Sequence, residues 1–340
     1  MAHSRRGSGK PPAGSGRART SGTSVHITPT ETEPRIKWSY MDHWTMRSAR
    51  GWVAPQLGPK YADRFYKALV GIGFQGVDPF EFRLSALIQH FGSAKKAEQF
   101  AQDRGIERFV NIFTCFFSDM SHVREEHEGI LRAFEAKLKL YEGINIDSFI
   151  VMPAARYWQV EPVTDEKIKL MAECWNRVGR KTKRHGVKLT CHHEFYCALH
   201  TREEIDKFYA WTDPEYVGLF LDTAQHLISG IDPTDLYVKY HDRVTGFHFK
   251  DTHHVDRRGD YRTPPDPERV AATTPRWFWE MGTAGGLVDF PKLMKALKYF
   301  NYSGWVSVEH DKADVGAGNY AESTCRAKWY IDNVLSKIYA

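Results

Sequence analysis

The sequence predicts an α/β protein folded as a closed (β/α)8 TIM barrel, and three observations carry that prediction. From about residue 35 onward, short β-like runs alternate with helical runs eight times, which is the arithmetic of such a barrel. The β-like runs are apolar almost throughout, as strands buried on both faces must be. Four successive runs in the second half end in ionisable residues, at the edge where a barrel of this kind assembles its pocket.

The predicted strands run from Ile36 to Tyr40, Gly73 to Pro79, Phe109 to Phe116, Asp147 to Met152, Val187 to Glu194, Val217 to Thr223, Val244 to Asp251 and Gly304 to His310. Between them, apolar residues recur at helical spacing, as in Ile130, Leu131, Phe134, Leu138 and Tyr141, or Ile168, Met171, Ala172, Trp175 and Val178. Each set forms one stripe to lay on the barrel. The Gly71-Ile72-Gly73-Phe74-Gln75-Gly76 run has the glycine spacing of a dinucleotide loop. It follows a helix and precedes a strand, the reverse of that motif's order, so it reads as a helix-to-strand turn. The connection after the seventh strand, residues 252–288, holds Pro264-Pro265, Pro267 and Trp277-Phe278-Trp279 without a clear period. A loop of that length is more often functional than idle.

Composition bounds the class. At 42% hydrophobic and 26% charged residues, the chain reads as globular, and no apolar run approaches the roughly 18 residues a spanning helix needs. Five cysteines without a CxxC pair argue against a disulfide framework and for a reducing, cytoplasmic setting. The net charge of +5 is carried by Arg5, Arg6, Lys10, Arg17 and Arg19, with no acid before residue 31, so the remainder sums to zero. Residues 1–34 read as a flexible basic leader, and residues 35–340 as one catalytic domain with a long loop at 252–288. A neutral body argues against nucleic-acid binding.

The four ionisable strand ends are Cys191-His192-His193-Glu194, Leu221-Asp222-Thr223, Phe247-His248-Phe249-Lys250-Asp251 and Val308-Glu309-His310-Asp311. Any one of them alone is an ordinary solvent-facing group; four in register make a site. A Glu, an Asp, a His and a Glu form a mostly hard donor set, suited to Mn²⁺ or Mg²⁺ and tolerant of Co²⁺ or Zn²⁺. Alternation places His192 with Glu194, His248 with Lys250, and Glu309 with Asp311 on the pocket side, and turns His193 toward the helices. Either His192 or Glu194 can then be the ligand from the fifth strand, with the other left for proton transfer.

Three stretches, LFLDTAQHLISGIDP, GFHFKD and GTAGGLVDFPKLMKALKYFNYSGWVSVEHD, resemble the xylose-isomerase-like sugar isomerase, epimerase and dehydratase superfamily over nearly the whole folded body. Within it the chain is most similar to inosose dehydratases and to the large subunits of C-glycoside deglycosidases acting on 3-keto-glycosides. The resemblance implies one divalent metal, Mn²⁺ by preference, held by Glu194, Asp222, His248 and Glu309. It also implies a homo-oligomer or a complex with a small partner subunit. The family writes Asp-Thr-x-His after strand six, and here His226 comes one residue later. Glu194 stands where a histidine-rich run would end.

Such a metal polarises a ketone and eases deprotonation of its neighbouring carbon, after which epimerisation, isomerisation or β-elimination can follow. The expected reaction is β-elimination on a keto-sugar, keto-cyclitol or 3-keto-glycoside. His192 serves as base, since an imidazole titrates near ~6.5; His310 or a water serves as acid, and Lys250 holds a substrate oxygen. Tyr157, Trp158, Phe195, Trp277, Trp279 and His226 are expected to contact the substrate, aromatic faces being suited to sugar C–H surfaces. The alternatives are a ketose 3-epimerase or sugar isomerase on the same metal site, a metal-dependent DNA-repair endonuclease, and a non-catalytic scaffold subunit. A zinc cluster of Cys191, His192, His193 and Cys197 is disfavoured by its spacing.

Overall fold

The computed structural model describes residues 36–42, 47–48, 51–52, 58–114, 120–262, 277–310 and 320–340. The chain divides into two units, Met1–Pro34 and Arg35–Ala340. The predicted leader, Asp311, and residues 263–276 of the long loop lie outside the described residues.

Among the described residues, eight parallel strands form the barrel of the second unit. They are β1 (Ile36–Met41), β2 (Gly76–Asp78), β3 in two pieces (Arg108–Phe109 and Asn111–Phe113), β4 (Ser148–Val151), β5 (Lys188–His192), β6 (Val217–Asp222), β7 (Val244–Phe249) and β8 (Gly304–Val308). Neighbours in sequence are neighbours in the sheet, and β8 returns to pair with β1. The two pieces of β3 pair on opposite sides, the first with β2 and the second with β4, so the ring closes through this strand. Between the pieces, the Val110 N–H still reaches the Val77 carbonyl at 2.9 Å.

The fifth strand ends at His192, two residues before the predicted Glu194. Its ladders run out there, with Cys191 opposite Val151 on β4 and His192 opposite Phe220 on β6. Glu194 lies two residues beyond that last pair, past the end of the strand.

The helix Asp165–Lys183 shows how the outer layer is built. Thr164 caps it by accepting the Lys167 N–H, and the predicted stripe of Ile168, Met171, Ala172, Trp175 and Val178 is buried. The Trp175 indole N–H donates to the Pro153 carbonyl at 2.8 Å, satisfying the one polar atom of a fully buried side chain. At Gly179 a Cβ would stand 2.2 Å from the Tyr216 carbonyl oxygen, so only glycine lets this helix lie so close to the chain entering β6. In the Gly71–Gly76 turn, Gly73 closes the helix Pro59–Ile72 at φ 108°, a left-handed cap that glycine takes without penalty. Among the described residues no helix is long and apolar enough to cross a membrane.

Candidate metal centre and active site

Alternation along the strands brings His192, Asp222, His248 and Glu309 to the inner face at the C-terminal end of the barrel. One ligand-type atom from each lies within 4.8 Å of all the others, and all four residues are buried. His248 Nδ1 sits at the middle, 3.1 Å from His192 Nε2, 2.9 Å from Glu309 Oε2 and 3.7 Å from Asp222 Oδ2. His192 Nε2 is 3.2 Å from Asp222 Oδ2. Lys250, next inward after His248, places Nζ 3.2 Å from Asp222 Oδ2 and 2.9 Å from Glu309 Oε2.

Asp222 is positioned by local sequence. It caps the helix Thr223–Ile228, and its Oδ1 accepts the Ala224 and Gln225 N–H groups, both at 2.9 Å. One oxygen is thus committed to the helix end, and Oδ2 alone faces the group. Thr223 ties the ends of β6 and β7 together, its hydroxyl donating to the Lys250 carbonyl at 2.5 Å and accepting the Lys250 N–H at 3.0 Å.

Glu194 stands at the edge of this group, with Oε1 3.5 Å from His192 Nδ1 and Oε2 buried without a hydrogen-bond partner. Burial lifts its carboxyl above the ordinary range, and the Asp222 and Glu309 charges add to the lift, against the pull of His192 and Lys250. Asp222 goes the other way. Burial works to raise it, but the Lys250 ammonium and the hydrogen bonds from His192 and His248 outweigh burial and hold it well below the carboxylate range. For His248, burial works to lower the pKa, yet the Glu309 charge and the bonds to Asp222 and Glu309 win and raise it to about 9.

That shift has a consequence for stability. A histidine whose folded pKa exceeds its unfolded value stabilises the fold below the unfolded pKa and loses that contribution as pH rises through the folded one. Metal-free protein is therefore expected to lose about 3 kcal/mol of unfolding free energy between roughly pH 6.5 and 9. Urea titrations across that window check it; a flat profile would contradict the proton on His248.

The other predicted site residues lie outside the converging group. His310 points away from the group: its Nδ1 is 3.1 Å from the Tyr40 hydroxyl, and Tyr40 packs on Phe65 and Phe74 on the helix side of the sheet. Alternation explains it, since Glu309 beside it faces inward. His226 hydrogen-bonds back to the Asp222 carbonyl at 2.6 Å through Nδ1, and burial lowers its pKa to about 4. His193 contacts the Leu199 carbonyl and the Tyr209 hydroxyl, both at 3.0 Å, on the helix side. Phe195 and Trp277 belong to one apolar cluster, their centroids 5.5 Å apart. Tyr157 lies beside His200, Trp158 beneath Arg156, and the Trp279 indole N–H donates to Ala284.

Three aromatic residues at the group escaped the sequence reading. Phe278 lies with its ring centre 4.2 Å from Lys250 Nζ. Phe220 packs edge-on against His248 at 4.6 Å, and Phe113 against His192 at 5.4 Å. Phe220 was accessible to alternation, being two residues before Asp222; Phe278 depends on the antiparallel pairing of Phe278–Trp279 with Asp251–Thr252, which no local pattern announces.

The fold and this inward group define a barrel enzyme scaffold with a buried cluster of metal-ligand type. The chain belongs to the xylose isomerase-like TIM barrel family, which matches residues 66–328. It is 29% identical over 173 residues to the inosose dehydratase of Lacticaseibacillus casei, spanning 51% of this chain and 56% of that enzyme. The chain thus matches little more than half the length of that relative. The barrel is also similar to the Escherichia coli 3-keto-D-glucoside 4-epimerase, with TM-score 0.60, 13% identity, and 88% and 99% of the two chains covered. A Mycobacterium smegmatis xylose isomerase-like TIM barrel protein in complex with magnesium superposes with TM-score 0.60 and 16% identity over 90% and 97% of the chains.

Proposed function

We propose that this chain is a divalent-metal-dependent lyase that eliminates a β-substituent from a keto-sugar, keto-cyclitol or 3-keto-glycoside. The observation that carries the reading is the buried convergence of His192, Asp222, His248 and Glu309. Two imidazoles and two carboxylates within reach of one point fit a divalent cation such as Mn²⁺, Mg²⁺, Co²⁺ or Zn²⁺. This group favours His192 over Glu194 as the fourth ligand, exchanging the roles the family resemblance implies. The likeness to an inosose dehydratase and to a keto-glucoside epimerase supports a carbonyl-bearing sugar as substrate class.

A bound divalent cation polarises a ketone and lowers the cost of removing the proton from the adjacent carbon. Glu194 then takes that proton, its buried carboxyl having the raised affinity a general base needs. Lys250 holds the substrate oxygen on which negative charge develops. Glu194 returns the proton to the departing oxygen as the bond from carbon to that oxygen breaks, leaving an enone and water, or an enone and a released alcohol. His310, bonded to Tyr40, has no part in these steps. Phe195, Trp277 and Phe278 form the apolar wall against which the sugar's C–H face rests.

Incubation with inosose, 3-keto-glucosides and free ketohexoses in D₂O, followed by NMR, tests the reaction. An enone or released aglycone is expected. Deuterium in an otherwise intact, stereo-inverted ketose would overturn the lyase reading in favour of the epimerase.

A further inference from the structure

We propose that Asp78 is a positioning residue for His248, acting through one ordered water held between them by the Ser39 and Ser307 hydroxyls. The inference rests on the reading of His248 as a metal ligand and concerns how that ligand is presented.

Strands β2, β1, β8 and β7 lie side by side in the barrel. Ser39 on β1 is paired with Ser307 on β8, and Ser307 with His248 on β7, while Asp78 on β2 stands opposite Met41, two residues beyond Ser39. Each of these four side chains is at most 1% exposed. Each also contributes a buried atom without a protein partner: Asp78 Oδ1, Ser39 Oγ, Ser307 Oγ and His248 Nε2. Orphaned polar atoms of this kind are costly to bury, and four on adjacent strands of one barrel interior mark a shared polar site.

The rest of the network is rigid. Asp78 Oδ2 accepts from Asn111 Nδ2 at 2.9 Å, and Asn111 Oδ1 accepts from Ser148 Oγ at 2.6 Å. Burial raises the Asp78 carboxyl to about 6, while Asn111, the His248 charge and the two serine hydroxyls hold it from rising further. The carboxyl, the hydroxyls and the imidazole therefore feel one another without closing direct bonds at Oδ1 or Nε2.

The donor and acceptor inventory fits a single water. The water donates to Asp78 Oδ1 and to one serine oxygen, and accepts from the other serine and from the His248 Nε2–H. An acceptor-only carboxylate at the far end orients the chain, so Nε2 carries the hydrogen and the Nδ1 lone pair faces Asp222 and Glu309. Metal-bound histidines are usually fixed in this way by a partner on the opposite nitrogen.

Mn²⁺ titration of the metal-free protein by calorimetry provides the test, with Asp78→Asn and the double variant Ser39→Ala/Ser307→Ala beside wild type. Asp78→Asn presents an amide donor where the chain needs an acceptor, and is expected to weaken Mn²⁺ binding about 10- to 100-fold. The double variant should weaken it in the same direction. In Zn²⁺-loaded, ¹⁵N-histidine-labelled protein, a slowly exchanging Nε2–H assigned to His248 is expected in wild type and lost in both variants. A structural role for Asp78 alone would not move that signal. A folded Asp78→Asn protein that binds Mn²⁺ as wild type does, with the slow N–H retained, overturns the proposal. Should Asp78→Asn fail to fold, the serine double variant decides by the same two readouts. Wild type that binds no Mn²⁺ would instead overturn the metal-centre reading, and this proposal with it.

Discussion

Asp222→Asn is expected to purify without metal and to turn over at least about 1,000-fold more slowly than wild type while keeping its fold. The separation is clean because the two carboxylate oxygens have different tasks. Oδ1 accepts two N–H groups at the start of the helix Thr223–Ile228, and an asparagine carbonyl does the same, Asn and Asp being equal as helix caps. Oδ2 faces His192, His248 and Lys250, and an amide nitrogen there is no ligand for a cation. Elemental analysis, a thermal melt and turnover on the same preparation check all three parts. Full metal content with undiminished turnover would remove Asp222 from the centre.

Glu194→Gln is expected to keep its metal and lose turnover by about 10²- to 10⁴-fold, the usual worth of a positioned proton carrier. His192→Ala is expected to lose the metal itself. The contrast follows from the geometry: His192 Nε2 is inside the group of converging atoms, whereas Glu194 reaches that group only through His192 Nδ1 at 3.5 Å. Metal analysis of the two variants in parallel is decisive. Metal lost from Glu194→Gln and retained in His192→Ala would reverse the two roles and restore the assignment implied by the family resemblance.

Much of the architecture was legible because it depends on short-range periodicity. Eight alternations of apolar strand and striped helix name the barrel, and the stripe of Ile168, Met171, Ala172, Trp175 and Val178 is buried as its spacing requires. Alternation at strand ends likewise separates Glu309 from His310 and His192 from His193, since neighbouring side chains on a strand face opposite ways. Applied to the eighth strand, that same rule puts His310 on the helix side, where Tyr40 receives it.

By itself, then, the amino-acid sequence determined the barrel and the identity of the inward-facing ionisable residues. Tertiary structure alone decided which inward atoms converge. The ladders of β5 run only as far as His192, so His192 stands within the strand and Glu194 two residues past its end. The Phe278 ring over Lys250 is set by a pairing of Phe278–Trp279 with Asp251–Thr252 across the long loop. The line from Asp78 through Ser39 and Ser307 to His248 exists because β2, β1, β8 and β7 meet when the ring closes. Register between strands is fixed by backbone hydrogen bonds and packing between segments distant in the chain, and no spacing within one segment encodes it.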